Sequence, residues 1–325
     1  MQGGNGMGEN AQKIGKKLEV LGVELFKIFN WNKKMGDKEI KCTRSLHKNA
    51  EGNKKHTHGI DLYMEYEDPY IGGIQGVFIE CKNRTWNGIT KSTIETWVNE
   101  EINLIDCAKN NCELQEFYGE GADRNCALLL INCNDGKFEK DKFDEYLSKI
   151  NIQNKKTPYK IFVAGNHMIE RWDAIGRIIK EYYDSGLTVL YPSINNSKAM
   201  AVNYWSINQL FSKYIFCEYK KKVPIGWNGG TYIEKILVIF FFDKISAESF
   251  KYMWSMCRAF QYETQYGGFD ICFWIENKEE NDYIKENFKS ILESERGKDS
   301  IAKDVLDKIN IKFLLNRKLN VVDNQ

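Results

Sequence analysis

Apolar positions along the first half of the chain follow two different rhythms. Ile14, Leu18, Leu21, Leu25 and Ile28 recur at spacings of three and four, which places them on one face of a helix over residues 9–29. Gly15 and Gly22 lower the intrinsic stability of that helix and leave room for close packing. Residues 39–46 read as a short strand and 47–57 as a polar loop. From Gly59 to Glu67 the rhythm becomes alternation, with Ile60, Leu62, Met64 and Tyr66 on one side and Asp61, Tyr63, Glu65 and Glu67 on the other. That is the pattern of a half-buried strand. Asp68-Pro69 and Gly72-Gly73 mark a turn, and Gly76 to Lys82 forms the return strand. Further on, the pattern predicts a helix over 93–109, a strand over 127–131, a helix over 138–150 and a strand over 161–164. A helix over 168–183 and a short strand over 187–191 follow.

Strands alternating with helices predict an α/β domain with a mixed sheet. Residues 215–325 restart the rhythm: strand 235–242, helix 246–261, strand 269–275, helix 280–293 and strand 311–315. The expectation is a first α/β domain over 1–214 and a smaller α/β domain over 215–325, with a ferredoxin-like arrangement as the candidate topology of the second. A length of 325 residues agrees with two domains. No internal repeat is evident along the sequence.

Composition narrows the class. At 42% hydrophobic and 28% charged residues the chain suits a globular protein with a sizeable core. The longest apolar run, Ile236 to Phe242, is too short to span a bilayer, and the first residues lack an apolar signal region, so a cytoplasmic protein without membrane contact is expected. Nine cysteines without a spacing pattern fit a reducing compartment, and the lack of a C-x-x-C pair argues against a four-cysteine zinc site. Walker A, HExxH, GxSxG and GxGxxG motifs are absent, which argues against NTPase, zinc protease, serine hydrolase and dinucleotide-enzyme readings. Net charge is +1, so the whole chain carries no nucleic-acid signal. Residues 33–56 are locally basic, however, with Lys33, Lys34, Lys38, Lys41, Arg44, Lys48, Lys54 and Lys55 against Asp37, Glu39 and Glu51. Such a stretch can line a phosphate track, although a solvated loop is the simpler reading.

The candidate chemistry sits on the hairpin. Strand alternation puts Glu80 and Lys82 on one face, and an antiparallel partner strand can bring Asp61 beside Glu80. Two carboxylates that close repel each other unless a cation lies between them. Mg²⁺ binds through one or two carboxylates, polarises a phosphate oxygen and acidifies a bound water. A lysine two residues beyond the glutamate can orient that water or stabilise developing negative charge. Of four E-x-K triplets in the chain, only Glu80-Cys81-Lys82 follows both an apolar strand core and a hairpin-spaced acid.

Asp61 … Glu80-Cys81-Lys82 resembles the D…(D/E)xK signature of the PD-(D/E)xK, or restriction-endonuclease-like, nucleases. Gly15-Lys16-Lys17-Leu18-Glu19 is similar to the G-x-x-(F/L)-E element of the Mrr-type restriction enzymes. The resemblance covers about residues 9–165 and departs at Ile60, where the signature has proline. It implies a restriction-endonuclease-like mixed sheet flanked by helices, with Asp61, Glu80, the Cys81 backbone carbonyl and Glu19 holding Mg²⁺ or Mn²⁺ and Lys82 acting on the attacking water. Glu24 competes with Glu19 for the helical role.

Lys54, Lys55, His58, Arg84 and Lys91 are the candidate nucleic-acid contacts. His47, His56 and His58 lie near Cys42, but their spacing matches no zinc motif, so phosphate contact or a plain polar loop is expected there. Residues 215–325 carry equal numbers of basic and acidic residues, and the aromatics Phe240, Phe241, Phe242, Trp254, Phe273 and Trp274 suggest partner binding or self-association. The functional expectation is a Mg²⁺- or Mn²⁺-dependent endonuclease that hydrolyses DNA in prokaryotic restriction or anti-phage defence, with a protein partner subunit or a homo-oligomer. A catalytically silent nuclease-fold scaffold and an RNA-directed nuclease are the competing readings.

Overall fold

The computed structural model describes residues 6–48, 52–152, 156, 158–184, 186–192, 200–225, 229–294 and 303–317, with the side chains of 6–15, 200 and 201 left aside. The first unit opens with helix α1 (Gly6–Ile28) and the meander β1 (Asn32–Lys41), β2 (Thr57–Asp68) and β3 (Gly73–Arg84). Helix α2 (Lys91–Ala108), strand β4 (Asp123–Cys133), helix α3 (Lys140–Ser148) and strand β5 (Lys160–Ala164) complete it. The sheet runs β1-β2-β3-β4-β5, antiparallel across the first three strands and parallel across the last three.

Helices cover both faces of this sheet. On one, α1 lies against the sheet at Gly22, where even a Cβ would find ordinary van der Waals contact with Leu130 at 3.5 Å and Leu62 at 3.7 Å. On the other, Leu104, Ile105 and Ala108 of α2 pack with Tyr63, Phe78 and Ala127, while Ile94, Val98 and Ile102 pack with Leu129 and Ile131. Thr90 starts α2 with a reciprocal capping box with Thr93, worth about 1 kcal/mol. Double coverage explains why β2 is buried on both faces instead of half-buried. Tyr63 and Glu65, on the side expected to face water, are interior, and Glu65 is held by Tyr63 Oη at 2.9 Å and Gly119 N at 2.8 Å.

The second unit begins at Arg171, within helix α4 (Asn166–Tyr182). Strands β6 (Thr188–Tyr191) and β7 (Met200–Val202), helix α5 (Ile207–Leu210), and strands β8 (Tyr214–Ile225) and β9 (Gly230–Phe241) follow. Then come α6 (Ala247–Ala259), α7 (Tyr262–Gln265), β10 (Gly268–Ile275), α8 (Lys278–Glu293), α9 (Lys303–Asp307) and β11 (Ile309–Leu315). The boundary therefore falls after Glu170, not after residue 214, because β6 pairs with β8 and brings residues 188–210 into the second sheet.

That sheet has the order β11-β10-β9-β8-β6-β7. It is not ferredoxin-like: a split βαβ unit needs another strand between the two joined by each helix, whereas β9 pairs directly with β10 and β10 with β11, all parallel. Set beside the first sheet, β6-β8-β9-β10-β11 repeats β1-β2-β3-β4-β5 in order and direction, with β7 added at the edge. Chemistry is not repeated. The end of β9 reads Leu237-Val238-Ile239-Phe240-Phe241, and Glu218 of β8 is ion-paired with Lys235 at 3.0 Å and Lys220 at 3.6 Å. Phe240, Phe241, Phe242, Trp254, Phe273 and Trp274 are all buried, so these rings build the core and do not mark a contact surface.

Candidate active site

The β2–β3 hairpin sets the geometry. Leu62 lies opposite Ile79, and Asp61 and Glu80 are the next residues along each strand. Asp61 Oδ2 accepts a hydrogen bond of 2.8 Å from Cys81 N, and the carboxyls of Asp61 and Glu80 interact directly. Lys82 Nζ donates to Glu80 Oε1 in a tight contact. The two acids and the lysine thus converge as the sequence requires.

Glu80 and Lys82 share the strand face of Phe78, which packs against α2. Hence α2 brings two further acids to the site. Glu100 and Glu101 both act electrostatically on Glu80 and Lys82. Glu101 is 3% exposed, and its Oε2 lacks a hydrogen-bond partner among the described residues. Sequence reasoning missed it. Its signal was an acid on the apolar face of a helix, flanked by Val98, Ile102 and Ile105.

From the other side α1 contributes Glu19, whose charge is felt by Asp61 and Cys81, whereas Glu24 is exposed. Asp37, in a left-handed conformation at φ 51° on β1, adds another negative charge near Asp61 and Glu19.

Burial dominates the electrostatics. It raises Asp61 against the pull of the Cys81 N–H and Lys82. It pushes Glu80 up to about 7, with Lys82 opposing and Asp61 adding to the rise. Glu101 is raised well above the carboxylate range by burial and then by Glu80, and Glu19 is raised by burial and then by Asp61 and Asp37. Burial works against the Lys82 ammonium, but Glu80, Glu100 and Asp61 outweigh it and hold the amine charged. Four carboxyls raised together around one contacting ammonium describe a site with surplus negative charge, which suits a divalent cation bound through oxygen.

The metal-free protein binds more protons at Glu80 than the unfolded chain between about 4.5 and about 7, so this group's contribution to stability falls as pH rises through that window. A cation must displace the same proton. Thermal shifts with Mn²⁺ or Mg²⁺ are expected to be small near about pH 6 and to grow toward about pH 8. A shift that ignores pH over this range would place the ion elsewhere.

The remaining sequence candidates divide. Lys54, Arg84 and Lys91 are exposed, as a backbone contact needs. Lys55 is partly buried and lies 3.8 Å from Glu100. His58 is a correction: at 2% exposure it cannot touch a nucleic acid, and burial, then Lys55 and His47, push its imidazole down to about 4. His56 is exposed, and residues 49–51 of the basic stretch lie outside the described residues.

A helix, an antiparallel meander and a parallel crossover that present an acid–acid–lysine hairpin define a PD-(D/E)XK nuclease domain. Residues 7–168 match the family model described as the GAPS4 protein PD-(D/E)XK nuclease domain, and this part of the chain belongs to the PD-(D/E)XK nuclease superfamily. No curated protein and no solved structure matches the chain. No helix among the described residues is long and apolar enough to cross a membrane.

Proposed function

We propose that this protein is a Mg²⁺- or Mn²⁺-dependent endonuclease that hydrolyses DNA phosphodiester bonds in the cytoplasm, in prokaryotic restriction or anti-phage defence. The observation that carries the chemistry is the convergence of Asp61, Glu80 and Lys82 on one hairpin, with Glu80 raised to about 7. Asp61 and Glu80 would hold the ion together with the Cys81 carbonyl, with Glu19 in support and Glu101 as a further acid beside them. When bound, the ion supplies Lewis-acid stabilisation of phosphoryl charge and a more acidic water. The Cys81 N–H fixes the orientation of Asp61. Lys82, charged and paired to Glu80, is suited to orient the attacking water and to neutralise charge that develops on the phosphate, more than to act as a free base. The exposed Lys54, Arg84 and Lys91 are suited to carry backbone phosphates. The defence role rests on the resemblance to Mrr-type enzymes, and a partner subunit or second copy would serve as the control that a host-toxic nuclease needs.

The test is cleavage of supercoiled plasmid by the full chain with Mg²⁺ or Mn²⁺, set against Asp61→Ala and against single-stranded RNA. Cleavage of DNA by wild type, lost in the variant and in EDTA, is expected. Equal cleavage by both proteins would assign the activity to a contaminant. Tight binding without turnover would favour a scaffold, and preference for RNA would move the substrate class.

A further inference from the structure

Four side chains that play no part in the nuclease site meet at the edge of the first sheet. Cys42 follows β1, His47 lies in the loop after it, His58 is the second residue of β2, and Cys107 is next to last on α2. His47, His58 and Cys107 are buried and Cys42 is partly so. The backbone prepares the arrangement: Cys42 N donates to His56 O and Lys55 N to His47 O, both at 2.8 Å, folding the loop back on itself.

The ligand atoms point to one centre. For bonds of about 2.3 Å to sulfur and about 2.05 Å to nitrogen, a tetrahedral zinc ion sets its ligands about 3.8 Å apart for S–S, about 3.6 Å for S–N and about 3.3 Å for N–N. Here Cys42 Sγ and Cys107 Sγ are 3.9 Å apart, His47 Nδ1 is 3.5 Å from each sulfur, and His47 Nδ1 is 3.4 Å from His58 Nε2. All four atoms lie within 4.8 Å of one another. Hydrogen bonding does not account for this, because the single Nδ1 of His47 cannot serve two thiols and an imidazole at once.

The surroundings match as well. Asp106 Oδ2 lies 3.7 Å from His47 Nε2, at ion-pair distance from the ring nitrogen that is not part of the cluster and on the side where a carboxylate partner of a metal-bound imidazole stands, and Tyr159 donates to the other Asp106 oxygen. Thr43 Oγ1 donates to Cys107 Sγ at 3.5 Å and would satisfy a thiolate lone pair.

We infer that Cys42, His47, His58 and Cys107 form a closed structural Zn²⁺ site, separate from the nuclease centre, that fastens the basic β1–β2 loop and the start of β2 to the end of α2. With four protein ligands the ion has no open position and serves architecture. It fixes the strand that carries Asp61 and the helix that carries Glu100 and Glu101 to each other. His56, close in sequence, is exposed and takes no part.

The test uses the full chain expressed with zinc supplementation. Elemental analysis is expected to find about one zinc per chain in wild type and in Asp61→Ala, and well under half of that in Cys107→Ser. The zinc-selective chelator TPEN, which leaves Mg²⁺ in solution, is expected to lower the Tm of wild type by at least about 5 °C. Should Cys107→Ser fail to fold, wild type reconstituted with Co²⁺ gives the answer by itself: intense visible d–d bands with a thiolate charge-transfer band are expected. Wild type that holds no zinc and gives no such bands would overturn the site. So would zinc that leaves with Asp61→Ala while the two cysteines stay in place, since that metal would belong to the nuclease centre.

Discussion

Replacing Lys82 by alanine is expected to slow phosphodiester cleavage by about 10²–10⁴-fold, the range lost when one positioned proton-transfer or charge-stabilising group is removed. Lys82 is largely buried and ion-paired to Glu80, and its charge is the main force opposing the rise of that carboxyl. The variant loses the ammonium proposed to neutralise charge on the phosphate and leaves Glu80 still more reluctant to ionise. Weaker cation binding should therefore accompany the slower rate, and single-turnover assays over a range of Mn²⁺ separate the two effects. Arginine should rescue poorly, because its broad guanidinium does not fit where a compact ammonium sits between strand and helix. A variant that cuts at the wild-type rate would remove Lys82 from the mechanism.

The second large effect is on folding. Gly76→Ala is expected to destabilise the first unit by about 1–3 kcal/mol or more, the usual cost of forcing atoms into a filled interior. A Cβ at Gly76 would stand 2.7 Å from Tyr63 Cζ, and Tyr63 is completely buried. The ring cannot swing aside freely, because it packs against Phe78 and Tyr118 and its hydroxyl holds the interior Glu65. Calorimetry should record a Tm fall of several degrees, at about 2–4 °C per kcal/mol for a domain of this size. An unchanged melting point would mean that Tyr63 has space the packing does not show.

The hairpin was legible because its chemistry and its periodicity agree. Asp61, Glu80 and Lys82 lie on strands whose neighbours alternate or run apolar, and a Gly/Pro turn joins them. The sequence pattern puts β1 several residues late, because Met35 and Ile40 are its only buried side chains and a bulge between Lys33 and Met35 breaks the alternation. It is an edge strand, whose exposed lysines discourage pairing with other chains and hide the strand signal. Strand β8 escaped because its second half, from Lys220 to Ile225, is mostly exposed hairpin. Without β8 the pairing of β6 was invisible, and the domain boundary moved with it. Cys107 was out of reach for another reason: it meets residues far away in sequence, and nothing local distinguishes it from an ordinary helix position, while Glu101 stands out only as an acid among apolar neighbours and its partners at the site are likewise distant in sequence.

The doubled architecture has a consequence for how a duplex is cut. Two halves of one polypeptide share a scaffold, yet among the described residues only the N-terminal half retains the acid–acid–amine set; where its counterpart would stand, the other has filled that place with aliphatic and aromatic side chains. If the first half severs backbones, a single molecule brings one blade, and opening both strands at one locus takes a pair of molecules or two successive visits.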